Sequence, residues 1–307
     1  MRLLVTGGAG FIGSNYVHHL LSTTDVEVVT IDALTYAGDR SNLEEVDKSR
    51  HEFVEGDITN RSLVCEVVSE VDAIVNFAAE SHVDRSIEGV RPFVESNIKG
   101  TQTLLDAAVK HDIKQFIQVS TDEVYGEILE GEFSENDRLH PRNPYAATKA
   151  GADHLALSYY ETHGLSVKIT RSSNNFGPRQ HHEKLIPKFI KRAAAGQILP
   201  VYGDGSNVRE WTYVKDNCRA IDLVRKKGQI GEIYNVGSGI EYTNLDIAES
   251  IIDAVGASED LIQFVTDRPG HDQRYALDSS KIRDLDWEPQ WNFNQGLERT
   301  IRYYIDK

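Results

Sequence analysis

The run Thr6-Gly7-Gly8-Ala9-Gly10-Phe11-Ile12-Gly13 decides the fold. It follows directly on the short apolar segment 3–6 and opens into a helix-like stretch, 12–21. Glycines at 7, 10 and 13 remove side chains where the chain must turn, so that backbone amides at the start of the next helix can approach a pyrophosphate. A glycine-rich turn without a ligand has the same composition. The strand before this run and the helix after it favour a dinucleotide site. A second, β-branched segment, 26–31, ends at Asp32, 19 residues past Gly13. A carboxylate there would take the adenosine ribose hydroxyls and repel a 2′-phosphate, which favours NAD over NADP.

Further along the chain, 73–77 and 116–119 are buried-strand candidates, and 61–69 and 93–110 are helix-like. The last carries Val94, Ile98, Leu104, Leu105, Ala108 and Val109 close to a helical period. Alternating strands and helices imply an α/β fold with a doubly wound parallel sheet of the Rossmann type. Pro144–His163 predicts another helix, with proline at its start and Gly164 as C-cap, and 167–171 a further strand. After about Phe176 glycine and proline punctuation thickens. We therefore expect residues 1–175 to form an NAD-binding domain carrying the catalytic residues. Residues 176–307 should form a smaller C-terminal substrate-binding region, partly interleaved with the first.

The chain has 307 residues, long enough to bury roughly 75% of its unfolded surface. Its 33 Lys and Arg against 48 Asp and Glu leave a net charge of −15. Such acidity argues against nucleic acid or an anionic membrane as the main partner, and halophilic adaptation would also produce it. Cys65 and Cys218 show no metal-binding or CxxC spacing, which fits reduced thiols in a cytoplasmic protein. Residues 3–24 carry no Asp, Glu, Lys or Arg, yet four glycines and several polar residues interrupt them, so no signal or membrane segment is expected.

Tyr145 and Lys149 are four apart on the helix beginning at Pro144 and hence share a face. A tyrosine near pKa ~10 needs a downward shift of roughly 3 units, about 4 kcal/mol, to serve as a base near neutrality. Lys149 and the positive nicotinamide ring could supply it together. A surface pair on a helix is the alternative. Thr121-Asp122-Glu123 leaves the end of the fifth strand, where open α/β sheets bind ligands. Adjacent strand residues point to opposite faces, so the chain must leave strand geometry if both carboxyls serve one substrate. Two carboxyls side by side suggest one neutral acid and one ionised base; a solvated acidic loop is the alternative. Asp57 and Ile58, after a third strand, would flank the adenine, and Ala78, Ala79 and Glu80, after the fourth, would line the cofactor. His181-His182 suggests a metal, but neighbouring side chains diverge and no carboxylate spacing completes a site, so none is expected.

The glycine motif, 79–87, Thr121-Asp122-Glu123, 145–149, 173–178, 183–187, 201–214 and 268–275 together resemble the dTDP-glucose 4,6-dehydratases, a family of extended short-chain dehydrogenases/reductases. The resemblance runs from residue 1 to about 285. It implies a cofactor site built from Gly7, Gly10, Phe11, Ile12, Gly13, Asp32, Asp57, Ile58, Ala78, Ala79, Glu80, Tyr145 and Lys149. It implies that Tyr145 takes the sugar 4-hydroxyl proton while hydride passes to NAD, and that Thr121 polarises that oxygen. Glu123 then removes the C5 proton, Asp122 protonates the leaving 6-hydroxyl, and hydride returns to C6. The nucleotide sugar would be held by Ser81, Thr121, Asn174, Lys184, Leu185, Arg209, Asn244, His271 and Tyr275, with Arg209 on the phosphates. The resemblance also implies a homodimer, joined through the helices 93–110 and Pro144–His163 with an apolar stripe at Leu155 and Tyr159. A 4-epimerase would share Tyr145 and Lys149 without needing the carboxyl pair, and an NAD-sensing binding protein would need no catalytic residues. Two departures bear on base preference. Only 21 residues separate Glu123 from Tyr145, and Arg179-Gln180-His181-His182 stands where the family often has a more aromatic stretch.

Overall fold

The computed structural model describes residues 1–267 and 270–306. Its strands are β1 (Arg2–Thr6), β2 (Glu27–Asp32), β3 (His51–Glu55), β4 (Ala73–Asn76), β5 (Gln115–Thr121), β6 (Val167–Ser172), β7 (Asn174–Phe176), β8 (Leu199–Tyr202), β9 (Val208–Tyr213), β10 (Ile233–Val236), β11 (Glu241–Thr243) and β12 (Ile262–Val265). Seven of them form one sheet in the order β10-β6-β5-β4-β1-β2-β3, every neighbouring pair parallel. The order reverses between β1 and β4, which opens a crevice at the carboxyl ends of those strands, where ligands bind in such sheets.

Alternate residues of each strand serve opposite faces. Leu4, Val29, Ile31, Ile74, Phe116, Val167 and Ile169 pack beneath the helices Arg61–Val68, Thr101–Lys110 and Pro144–His163. Leu3, Val5, Val28, Val75, Ile117 and Val119 pack against Phe11–Thr23 and Val214–Lys227. This two-sided burial is why the strands read as near-continuous apolar runs. A separate core, including Phe176, Phe189, Trp211, Tyr213, Ile251 and Phe293, joins Leu185–Ala194, Asn244–Val255 and Phe293–Ile305 to the small sheet β11-β9-β7. Residues after 176 thus build their own core, while β10 and the helix Val214–Lys227 return to the large sheet.

The helix Pro144–His163 begins and ends as expected, with Asn143 as N-cap and Gly164 at φ +67 closing it. The segment 93–110 differs from the straight helix its periodicity predicts. Arg91–Phe93 leads into a wide π-helical stretch, Val94–Gly100, before regular helix resumes at Thr101–Lys110. Within it Asn97 is buried and bonds outside its own helix, to the backbone of Glu80 and to Thr148. Inserted turns of this kind often sit at functional sites. Among the described residues, no helix is long and apolar enough to cross a membrane.

Candidate active site

The glycine turn forms a tight cradle at the sheet crevice. Gly7 has φ +64, and a Cβ there would lie 2.7 Å from the Ala78 amide nitrogen; one on Gly13 would lie 2.2 Å from the Gly7 carbonyl oxygen. Only glycine lets these backbones approach so closely. Phe11–Thr23 starts from Gly10 with no side-chain cap and no acidic residue in its first turn. Its leading amides and its positive dipole end are therefore available to an anion. A cavity of about 200 Å³ lies in front, lined by Gly7, Gly10, Phe11, Ile12, Gly13, Asp32, Ala78, Ala79, Ser81, Tyr145 and Lys149 among others. Asp32 closes one side, its carboxylate held by the amides of Ala9 (2.9 Å) and Leu34 (2.8 Å). This cradle and carboxylate fit NAD, with the first helical turn at the pyrophosphate and Asp32 at the ribose. Three of the expected cofactor residues lie outside the lining. Asp57 is exposed and accepts from Thr59, Ile58 packs in the core against Gly100, and Glu80 is half-buried with its backbone tied to Asn97.

At the end of β5 the chain leaves strand geometry, as two carboxyls on one site require. Asp122–Val124 is a 3₁₀ turn whose cap is Thr121, the hydroxyl accepting from the Glu123 amide at 3.3 Å. The turn sends the carboxyls into different surroundings. Asp122 is 2% exposed; Thr121 donates to its Oδ1 at 3.1 Å, and Oδ2 has no hydrogen-bond partner. Burial, then the charges of Glu123 and Glu210, push Asp122 up to about 8. Glu123 is half-buried on the wall of the larger cleft and accepts from the Asn143 amide at 2.9 Å. A carboxyl held by burial in its protonated form therefore stands beside one on the cleft wall.

Tyr145 and Lys149 both line the cofactor cavity, but their electrostatics differ from the sequence-based expectation. Lys149 is buried and donates to the Val119 carbonyl at 2.7 Å; burial lowers it to about 8. The Tyr145 phenol is pushed well above its ordinary value, first by burial and then by the Glu123 charge, with the Thr121 hydroxyl opposing. Lys149 thus secures the end of β5 and brings positive charge to the cavity, and it does not lower the phenol by direct contact. Behind them Asp153 joins Ser120 (3.0 Å) and Arg171 (3.0 Å) in a buried network that fixes the helix against the sheet.

A larger cleft, about 680 Å³, opens beside Glu123. Its lining brings together the expected substrate residues Asn174, Lys184, Leu185, Arg209, Asn244, His271 and Tyr275, while Ser81 lines the cofactor cavity and Lys184 borders both. Arg209 is held by the carbonyls of Val208 (2.7 Å), Asp272 (2.8 Å) and Gln273 (3.3 Å), and its guanidinium lies over the Tyr275 ring, 4.4 Å from the centroid. Lys184 donates to the Ser81 carbonyl at 2.8 Å. Arg268 and Pro269 of the 268–275 motif lie outside the described residues.

Several residues of the site carry no sequence signal that isolates them. Lys188, Lys191 and Arg192 add positive charge to the cleft wall, although helical periodicity does place cations on that face. Glu210 is a buried carboxylate on β9, raised to about 7 by burial, that accepts from the amides of Gly239 and Leu277. His181, His182 and Glu183 bring ligand atoms within 4.8 Å of one another, where sequence adjacency predicts divergence. Arg85 already engages both Glu183 oxygens, at 2.8 and 3.0 Å.

The family model described as GDP-mannose 4,6 dehydratase matches residues 4–300. The chain belongs to this family. Within it, the chain is 64% identical over 306 residues to the low-salt glycan biosynthesis protein Agl12 of Haloferax volcanii, covering 99% of each. It is 50% identical over 313 residues to a dTDP-glucose 4,6-dehydratase of Streptomyces antibioticus, covering 100% of this chain and 93% of that one. Among solved structures, DesIV, a dTDP-glucose 4,6-dehydratase of Streptomyces venezuelae crystallised with NAD, superposes with a TM-score of 0.98 at 51% identity, covering 100% and 98% of the two chains.

Proposed function

We propose that the protein converts dTDP-glucose to its 4-keto-6-deoxy product and water, with NAD as a cofactor regenerated in each cycle. The observation that carries this reading is the split pair at the end of β5, a buried, proton-bearing Asp122 beside Glu123 on the cleft wall. Epimerisation at C4 has no use for a second acid and base, whereas elimination of water across C5 and C6 needs both.

Each step follows from a side chain. Tyr145 receives the proton of the 4-hydroxyl, with Thr121 beside it to hold that oxygen; this requires the positive nicotinamide ring of bound NAD to draw the buried phenol down from its raised value. The 4-ketone acidifies C5–H, and Glu123 takes that proton. Asp122 gives its proton to the 6-hydroxyl, which leaves as water. Bound NAD supplies a hydride acceptor for C4 and a hydride donor for C6; Glu123 returns its proton to C5 as C6 is reduced, and the proton gained by Tyr145 balances the one lost from Asp122. Arg209, Lys184, Asn174, Asn244 and His271 hold the nucleoside diphosphate, Ser81, Leu185 and Tyr275 complete its enclosure, and positive side chains concentrate there in a protein of net charge −15. In this reading residues 1–175 bind NAD and carry the catalytic groups, and 176–307 hold chiefly the nucleotide sugar. The enzyme works in the cytoplasm as a homodimer. Its interface would include the exposed Ile87 and Val90, just before the 93–110 segment, and Val94 at its start.

The test is a direct assay for the 4-keto-6-deoxy product from dTDP-glucose and from UDP-glucose, run beside an assay for the C4 epimer. We expect product from dTDP-glucose. A C4 epimer as the sole product would replace this reading with an epimerase, and faster turnover of UDP-glucose would reassign the base.

A further inference from the structure

Asn143 stands where two parts of the proposed chemistry meet. Its side-chain oxygen accepts from the Ala146 amide at 2.8 Å and so caps the helix Pro144–His163, which carries Tyr145 and Lys149. Its side-chain nitrogen donates to Glu123 Oε2 at 2.9 Å. The orientation of the amide is determined by its partners, since a backbone N–H can only donate and a carboxylate only accept. Glu123 is thereby held at both ends, its amide by the Thr121 hydroxyl and its carboxylate by Asn143. The loop bearing Asn143 is itself anchored, because the preceding residue, Arg142, pairs with Glu127 (2.5 Å) and Asp272 (3.0 Å).

We propose that Asn143 is a positioning residue that sets the Glu123 carboxylate in register with the Tyr145 hydroxyl, so that the group serving C5 and the group serving O4 are aligned by one rigid amide. This rests on the reading of Glu123 as the C5 base. An N-cap alone would need only the oxygen, and serine supplies that equally well. The second hydrogen bond, directed at a carboxylate on the cleft wall, is what the cap does not require.

Two substitutions separate the roles. Asn143→Ser keeps a capping oxygen and loses the donor to Glu123; Asn143→Ala loses both. In single turnovers with dTDP-glucose in D₂O, C4 oxidation is read from reduced-nicotinamide absorbance and C5 exchange from deuterium in the sugar. Thermal unfolding reads the cap. For Asn143→Ser we expect a wild-type melting temperature, unchanged C4 oxidation and C5 exchange slower by about tenfold, the loss of one charge-assisted hydrogen bond. For Asn143→Ala we expect a melting temperature lower by about 2 °C and slowing of both steps. Wild-type C5 exchange in Asn143→Ser, or equal slowing of both steps, would overturn the proposal and leave Asn143 as a cap. Glu123→Gln is the control: if it exchanges C5 normally, the reading of Glu123 as the base fails, and the role of Asn143 fails with it.

Discussion

The Thr121 hydroxyl donates to Asp122 Oδ1 at 3.1 Å, and this is the one hydrogen bond to the Asp122 side chain among the described residues. A carboxylate so placed would be left charged, nearly dry and under-satisfied, and burial accordingly raises Asp122 to about 8. The folded value lies above the unfolded value of ~4. Its stabilising contribution is therefore complete below pH ~4 and is lost as pH rises through about 8, at up to about 1.4 kcal/mol per pH unit between the two.

The first prediction follows from this linkage. Dehydration should decline above about pH 8 as Asp122 loses the proton it must donate. Asp122→Asn should lower turnover by about 10²–10⁴-fold, the usual cost of losing a proton-transfer group. The same variant should be more stable than the parent at pH 8–9, because it removes a buried charge. Urea unfolding from pH 5 to 9 measures the second effect. A variant that keeps the parental slope across that range would mean that another group titrates there.

Tyr145 and Lys149 should separate by cofactor content. Tyr145→Phe removes the phenolic oxygen while the ring keeps its packing on Phe93, so NAD should stay bound while turnover falls by 10²-fold or more, of the order expected for a proton acceptor. Lys149→Ala also removes the bond to the Val119 carbonyl. It should lower both turnover and the NAD retained on purification. Near-normal turnover in Tyr145→Phe would show that another group takes the proton.

The proposed dimer is checked by sedimentation at micromolar concentration, where a two-chain species is expected. Leu155 and Tyr159 contribute less free surface than the sequence suggests. Both pack against the core of their own chain, and the Tyr159 hydroxyl donates to Asp106 at 2.5 Å. Ile87→Glu or Val94→Glu should therefore weaken association more than a change at Leu155. A wild-type monomer would remove the interface altogether.

What the sequence made legible was local or periodic. Strand β1, the glycine turn and Asp32 are consecutive in chain and in function, and the spacing of Tyr145 and Lys149 sets a shared face. Less legible were features that depend on what a side chain meets from elsewhere. The π-helical stretch is such a case, since Asn97 bonds to Glu80 and Thr148, 17 and 51 residues away. The depressed Lys149, the raised Tyr145 and the buried Glu210 are electrostatic outcomes of three-dimensional burial, which residue spacing does not encode. The order of strands brings Asp57 and Ile58 to the carboxyl end of β3, but it does not say which side chains turn toward the crevice, and neither of these lines the cavity.

Arg209 provides the last prediction. It is 5% exposed, yet it lines the larger cleft. Its hydrogen bonds go to the carbonyls of Val208, Asp272 and Gln273, and its guanidinium stacks on Tyr275. Among the described residues, no carboxylate pairs with it within 4.0 Å. A buried cation with no carboxylate in direct contact is costly, and a diphosphate in the cleft would offset that cost. Arg209→Gln should therefore raise KM for dTDP-glucose by about 10–100-fold with a smaller change in kcat, because the bond is made to the bound substrate and the transition state alike. Arg209→Lys should recover little of this, since an ammonium cannot reproduce the planar stack or the fixed fork of donors. The rise in melting temperature on adding dTDP, which reports binding to the folded state, should shrink in both variants. An unchanged KM and an unchanged dTDP-induced shift would place the phosphates elsewhere in the cleft, against the cations of Leu185–Ala194.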